Sequence, residues 1–432
     1  MNVSGVYNDY NFEAGGGQDV FQFKVKSGVR DYNAKVDFYY YPSVNHALKF
    51  GVNYTYHRLT PNIVRGTNGD TIFTNADKLK PKFAHEYAVY LNDDWKITPK
   101  LTVNLGLRLS AFQQIGPYKS PKTCTDFKTG EVAKAYAGFE PRITGTYKLN
   151  DNVSSFKFGL TATTQYLHLV SNSTSSFPSD VWVASSELVA PQRGIQYAMG
   201  YFRNFDDNVW ETSVEVYYKN LRNQIDYPEN YVQNPAEDVE QSFVFGNGKA
   251  YGAEFFIKKA KGRLNGWIGY TWSRTLRTFP DINGGKTYPS VYDRIHDVVV
   301  VGNYAVSKRW DFSANFIFST GNSFTPLKSL YFVDQKLNIE YGDRNSLRLP
   351  NYHRADLGAT YTRHPEKKGF HSSWTFSVYN FYNRWNPFFI YYDVQQSFDK
   401  GTAKATANQV TIFPIIPSVT WNYKWRQKAR NK

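Results

Sequence analysis

A single cysteine, Cys124, is all the thiol that this chain of 432 residues carries. One cysteine excludes an intramolecular disulfide and a cysteine-cluster metal site. In the polar run Lys122-Thr123-Cys124-Thr125 it reads as incidental. No stretch approaches the ~20 consecutive apolar residues of a membrane helix. That excludes a helical membrane protein but not a membrane barrel, whose strands are apolar on one face only. The first residues, Met1-Asn2-Val3-Ser4-Gly5-Val6-Tyr7, offer neither a basic n-region nor an apolar h-region. If the protein is exported, a leader and further chain are therefore expected upstream. Also missing are a Gly-x-Ser-x-Gly elbow, a phosphate loop and a His-Glu-x-x-His helix. We expect no enzyme, no cofactor, and no catalytic or metal-binding residue.

What is present is charge and aromatic surface. Lys and Arg number 51 against 37 Asp and Glu, a net +14, and 34 Tyr, 32 Phe and 10 Trp make the chain 18% aromatic. A basic balance can serve nucleic acid or an anionic surface. Here the basic residues are scattered and no compact aromatic motif marks an RNA-binding sheet, so nucleic acid is not expected. Anionic ligands and the phosphates of lipopolysaccharide both remain compatible with the charge.

Period-two alternation dominates, and no long amphipathic helix is evident. Leu101, Val103, Leu105, Leu107, Leu109 and Ala111 share one face, while Thr102, Asn104, Gly106, Arg108 and Ser110 share the other. Leu48, Phe50, Val52, Tyr54 and Tyr56 likewise oppose Lys49, Gly51, Asn53, Thr55 and His57. The same pattern follows Val153 and recurs in 210–218, 264–272 and 310–318. These runs reach roughly 11–15 residues against about 5–6 for a soluble strand, and a tilted membrane strand needs about 9–11. Short links fall at 42–45, 98–100, 150–152, 206–208, 261–263, 307–309 and 365–370. Longer segments fall between them, at 14–29, 60–82, 115–137, 170–191, 222–249, 279–292, 323–350 and 391–407. Strict short–long alternation is the topology of an outer-membrane barrel, with tight periplasmic turns and long extracellular loops.

The fold class expected is therefore all-β, a transmembrane antiparallel β-barrel of about 16 strands. It should occupy 1–425, followed by a basic tail over 426–432. The first strand should run outward and the last should end in the periplasm. Two rivals fit less well. A propeller would place four short strands in each period of about fifty residues, where two long ones stand. A soluble sandwich would rarely sustain so many long alternating strands.

Aromatics gather toward strand ends, as in Phe38-Tyr39-Tyr40-Tyr41 before Pro42, and at Trp95, Trp210, Trp310, Trp374 and Trp385. Such rings settle at headgroup level. In the last strand Val419, Trp421, Tyr423 and Trp425 project to one face. An alternating strand ending on an aromatic resembles the signal read by the barrel-assembly machinery, although the tail beyond Trp425 departs from it.

Several segments resemble the barrel of TonB-dependent receptors. Tyr90-Leu91-Asn92-Asp93-Asp94-Trp95-Lys96-Ile97-Thr98-Pro99-Lys100-Leu101 followed by Asn104-Leu105-Gly106-Leu107-Arg108 is similar to a recurrent hairpin of that family. Phe139-Glu140-Pro141-Arg142, Gly252-Ala253-Glu254, Asp293-Arg294-Ile295-His296, Arg348-Leu349-Pro350-Asn351-Tyr352-His353-Arg354-Ala355-Asp356 and Tyr379-Asn380-Phe381-Tyr382-Asn383 follow in the family's order. Gln165-Tyr166-Leu167-His168-Leu169 with Asp180-Val181-Trp182 resembles the branch carrying a carboxypeptidase-regulatory-like domain ahead of the plug. The resemblance implies a barrel of twenty-two strands with an internal plug, so about six strands and the plug would lie upstream. It also implies outer-membrane import of a scarce nutrient, a siderophore, glycan, peptide or similar. The implied partners are the TonB complex acting through the plug, outer-membrane lipid and lipopolysaccharide, with a surface lipoprotein as a further candidate. A passive porin or structural barrel is the main alternative, and a soluble β-rich binding protein the second.

Individual residues single out no ligand site. Asp93-Asp94 stands beside a short turn and reads as structural. His57, His296 and His353 lack ligand spacing and read as lumen or interface residues. His85-Glu86 is adjacent, so the two point to opposite faces. Loops 170–191 and 222–249, the latter with Tyr227 and Tyr231, are where ligand contacts would lie, yet residue by residue they read as solvated surface.

Overall fold

A computed structural model describes residues 1–18, 21–68, 71–74, 79–151, 153–170, 181–229, 231, 238–334, 336–363, 370–397 and 402–425. Among these residues eighteen strands share one antiparallel sheet. Two short segments, Thr71–Thr74 and Tyr288–Pro289, only extend the tips of neighbours. The other sixteen form an unbroken meander in which each strand pairs with the next. They are β1 (Asn2–Gln18), β2 (Phe21–Ser43), β3 (His46–Asn68), β4 (Lys82–Lys96), β5 (Leu101–Ile115), β6 (Val132–Lys148), β7 (Ser154–Gln165) and β8 (Gln192–Phe205). Then follow β9 (Trp210–Asp226), β10 (Val244–Lys259), β11 (Leu264–Thr278), β12 (His296–Ala305), β13 (Trp310–Ser319), β14 (Tyr352–Thr362), β15 (Phe370–Tyr379) and β16 (Ile416–Trp425). Among the described residues no ladder joins β16 back to β1.

The sheet is apolar on its outside and polar within. Along β5, Leu105, Leu107 and Leu109 are exposed, while Ser110, Phe112 and Gln114 are buried. Along β3, Phe50, Val52 and Tyr54 are exposed, whereas Thr55 and His57 are buried. The exposed rows continue across strands in register: Leu91 opposite Leu107, Leu105 opposite Ile143, Met199 opposite Val216, and Val214 opposite Phe255. A water-soluble sheet buries its apolar face and solvates the polar one. The reverse arrangement, with ladders satisfying the backbone strand by strand, suits a hydrocarbon surround.

Two local features hold the wall. Gly51 lies between Asp37 and Tyr90 in the β2–β3–β4 register. Having no side chain, it lets the Tyr90 ring cross β3 and donate its hydroxyl to Asp37. On the outer face Phe158 covers Gly145 of the adjacent strand, and a Cβ at Gly145 would collide with that ring.

The strands agree with the expected hairpin march, including the short links. The link over 364–369 lies outside the described residues. The segment 14–29, expected as a long loop, is instead paired. β1 and β2 continue in register from Asn2↔Asp37 to Gln18↔Phe21. Its glycines and charges imitate loop composition, but cross-strand pairs such as Glu13–Lys24 at 2.6 Å support a projecting hairpin.

The inside-out polarity sets a testable asymmetry. Leu107→Arg, at the middle of the outer face, should destabilise the vesicle-inserted chain by about 2–4 kcal/mol. Thr144→Arg, on the inner face one strand away, should change it by less than about 1 kcal/mol. Urea unfolding in lipid vesicles reads both, and equal costs would contradict the assignment of faces.

Candidate functional site

The inner wall of β2–β6 carries a transverse row of charge. Asp31 on β2 accepts from His57 on β3 at 2.8 Å, and His57 Nε2 lies 3.6 Å from Glu86 on β4. Arg108 on β5 stands 3.6 Å from Glu86 and 3.7 Å from Glu140 on β6. Ser110 donates to Glu140 at 2.6 Å and meets the Tyr166 hydroxyl at 2.9 Å. One residue per strand contributes because alternation places every second side chain inward and the register aligns them. The Arg108 pairs are long and a third exposed, so each is worth only a fraction of a kcal/mol. Their consequence is an inner surface presenting charges of both signs.

Above this wall the long links fold against one another. The link between β7 and β8 forms a hairpin, Leu167–Val170 with Val181–Ala184, in which Leu169 pairs with Trp182 and Val170 with Val181. Its apolar side joins Val189, Ile225, Tyr227 and Phe243 in one buried cluster. From the link between β5 and β6, Tyr118 and Ser120 donate to the two Glu187 oxygens at 2.8 and 2.9 Å. Lys82, at the start of β4, bridges Asp238 and Glu240 of the link between β9 and β10, each at 2.6 Å. Burial opposes the Lys82 charge, but Glu240 and Asp238 outweigh it and hold the ammonium above the usual lysine range. Removing one partner of a buried pair like this typically costs about 3–5 kcal/mol. Lys82 and Glu240 lie far apart in sequence, so their contact also shows how far the sheet curls.

A second knot joins the later links. Arg348 donates to the fully buried Asp293, Arg274 lies 3.4 Å from the same carboxylate, and Arg344 pairs with Asp226 at 2.7 Å. Asn345 donates to the Pro289 carbonyl at 2.9 Å, over the small core of Phe279, Ile282 and Tyr288.

Most residues weighed in the sequence fall where alternation puts them. His57 faces inward. His85 faces outward among Tyr54, Tyr56 and Tyr87, while Glu86 faces in. Asp93 pairs with His46 at 2.7 Å and Asp94 accepts from Asn104 at 2.6 Å, so the adjacent acids serve different partners. His296 and His353 bond Tyr270 and Tyr382, each at 2.9 Å, at exposed positions. On β16, Val419, Trp421 and Tyr423 are exposed on one face, with Trp421 stacked on Trp374 at 5.9 Å. Trp425 pairs through its backbone with Phe370, and the tail beyond it lies outside the described residues. Tyr227 and Tyr231 correct the solvated reading. Tyr227 is 2% exposed and stacks on Tyr231 at 4.6 Å. Its packing partners sit far away in sequence, so local polarity misled. Much of loop 170–191, including Asp180, lies outside the described residues. Sequence reasoning missed Lys82, Glu187 and Glu240, which carry no local signal.

The family described as "TonB dependent receptor-like, beta-barrel" matches residues 1–383. The ferric-catecholate import receptor Fiu of E. coli K12 superposes with TM-score 0.53 at 14% identity, over 98% of this chain and 60% of that one. The FrpB iron transporter of Neisseria meningitidis gives 0.58 at 11%, over 98% and 63%. The copper transporter OprC gives 0.60 at 11%, over 93% and 57%. The chain thus spans about three fifths of the length of these solved structures. No curated protein matches it.

The packed links generate a pH prediction. His168, 1% exposed and bonded through Nε2 to Ser185 at 3.1 Å, has its imidazole pushed down to about 4 by burial. An exposed imidazole protonates near 6.5, so stability present above pH 6.5 is lost as pH falls toward 4, by up to about 3 kcal/mol. Hydrogen-exchange protection over 167–170 and 181–184, corrected for intrinsic rates, should fall across that window. His168→Gln should flatten the dependence, and an unchanged profile in that variant would contradict the role given to His168.

Proposed function

The chain belongs to the TonB-dependent receptor β-barrel family, whose members reside in the bacterial outer membrane, and from that premise we propose that it supplies the wall and extracellular links of a nutrient-import receptor. The observation that carries this reading is the cap of interlocked links, tied by Lys82, Glu187, Asp293 and Arg344 over a wall charged with both signs. Ligand capture needs groups held in place before the ligand arrives, and these ties hold them. The reading makes this chain a receptor part and not an enzyme.

Coupled import needs a plug on which the TonB complex can act, so the chain provides the enclosure and the outward-facing contacts. The receptors that it resembles structurally handle iron complexes and copper, and a scarce metal complex is the first substrate class to test here. A glycan or peptide is the second. We further read the sequence Gln165–Leu169 with Asp180–Trp182 as the mark of the branch carrying a carboxypeptidase-regulatory-like domain. In this reading Val419, Trp421, Tyr423 and Trp425 engage the barrel-assembly machinery, and a surface lipoprotein covers the links.

Recovery of the reading frame upstream of Met1 tests the proposal. A plug domain and further strands are expected there. A leader directly before Met1 with no plug, together with steady ion conductance of the chain in planar bilayers, would overturn it in favour of a passive pore.

A further inference from the structure

The clasp at the outer end of β4 sets one amine against two carboxylates. Lys82 Nζ donates to Asp238 Oδ2 and lies against Glu240 Oε1, each at 2.6 Å. The Lys82 side chain is 14% exposed and that of Glu240 2%. Leu59, the strand partner of Lys82, is buried beside it. Other paired lysines lack this setting. Those of Lys24–Glu13, Lys35–Asp37, Lys258–Glu211 and Lys328–Glu340 are between 35% and 64% exposed. The buried ties at Asp293 and Asp226 use arginine, whose guanidinium keeps its proton and is no nucleophile.

The two oxygens of Asp238 have different neighbours. Oδ1 accepts the backbone N–H of Glu240 at 3.3 Å, so charge developing there in a tetrahedral adduct meets a donor. Oδ2 faces Lys82, and at an ordinary hydrogen-bond angle this contact puts Cγ about 3–3.5 Å from Nζ, the range of a near-attack conformer. Glu240 touches the same amine, and its second oxygen accepts from Ser186 at 2.9 Å, which fixes the carboxyl. Burial holds the Glu240 carboxyl above the usual carboxylate range. A proton passed to it from Lys82 leaves a neutral amine beside a neutral acid. The ion pair is the resting state and the neutral pair a minor one. A minor state is enough, because amide formation draws it off and little water reaches the seat to reverse the step.

We propose that Lys82 and Asp238 join through an intramolecular isopeptide bond, with Glu240 as the general acid–base group. Glu240 takes one proton from the ammonium, Nζ attacks Cγ, and the N–Cγ bond forms as negative charge moves onto Oδ1. That proton and a second one from the nitrogen then pass through Glu240 to Oδ2. The Cγ–Oδ2 bond breaks, water leaves, and one hydrogen stays on the amide nitrogen. Nothing is oxidised or reduced, and Glu240 ends ionised as it began. Well-oriented intramolecular reactions reach effective molarities of about 10⁵–10⁸ M, which lets a carboxyl condense without prior activation. The bond staples the β9–β10 link covalently to the outer end of β4. It requires the folded cap and does not rest on import.

The test follows the mass of the full chain after refolding from urea into detergent micelles, with folding read in parallel by heat-modified gel mobility. Chain extracted from outer membranes serves for the same digest where refolding fails. The folded chain should be lighter than the urea-unfolded chain by one water. Trypsin should no longer cut after Lys82, and the uncut peptide should be joined to the one that holds Asp238. Lys82→Arg, which keeps the ion pair, should fold and retain the full mass. Asp238→Asn should still form the bond, now with loss of ammonia, a product that a salt bridge alone does not give. Glu240→Gln should slow the reaction at least ~100-fold. A folded chain of full mass that is cut after Lys82 would overturn the bond. A bridge that forms equally fast in Glu240→Gln, or that joins Lys82 to another carboxyl, would overturn the roles given to Glu240 and Asp238.

Discussion

An unpaired peptide N–H or C=O has no water to turn to inside hydrocarbon, so a strand that crosses a bilayer must pass its backbone bonds to a neighbour on each side. Fifteen consecutive antiparallel ladders, β1 to β16, do this here. Once the backbone is satisfied sideways, each strand has two faces with different solvents, and the side chains sort accordingly. Phe50, Val52 and Leu107 lie on the lipid-facing side, while Ser110, His57, Glu86 and Arg108 turn inward. The negative overall hydropathy of the chain follows directly, since half of each strand and nearly every link face polar surroundings.

The inner face then becomes a problem in charge pairing. Asp31, His57, Glu86, Arg108 and Glu140 each lie within reach of a partner on the next strand. The row sets three carboxylates against Arg108 and His57, so the wall presents both signs with acid in excess. The links above it are ordered by stronger means, a buried apolar cluster around Val181 and Tyr227 and buried ion pairs at Lys82 and Asp293.

The hairpin march was legible because period two and turn composition are local signals. Leu101–Ile115 and its neighbours needed nothing more, and the opposed directions of His85 and Glu86 followed from parity alone. The projecting β1–β2 hairpin was not legible, since Gly15, Gly16 and Gly17 among charged residues imitate a loop and the pairing that rescues them lies across a turn. The cap was illegible for a deeper reason. Lys82 with Glu240, Tyr118 with Glu187, and the cluster that holds both Val170 and Tyr227 join segments far apart in sequence, fixed only after the sheet has curled.

The account stands or falls on which solvent the two faces of a strand meet. In a Cys124→Ser background, where no other thiol exists, single cysteines at Ser213, Val214, Glu215, Val216, Tyr217 and Tyr218 along β9 can be carried into lipid vesicles. Labels at Val214, Val216 and Tyr218 should be quenched by brominated acyl chains and shielded from aqueous thiol reagents, with Ser213, Glu215 and Tyr217 showing the reverse. Uniform aqueous labelling along β9, or protection of the polar positions with the apolar ones exposed to water, would contradict a lipid-facing barrel wall.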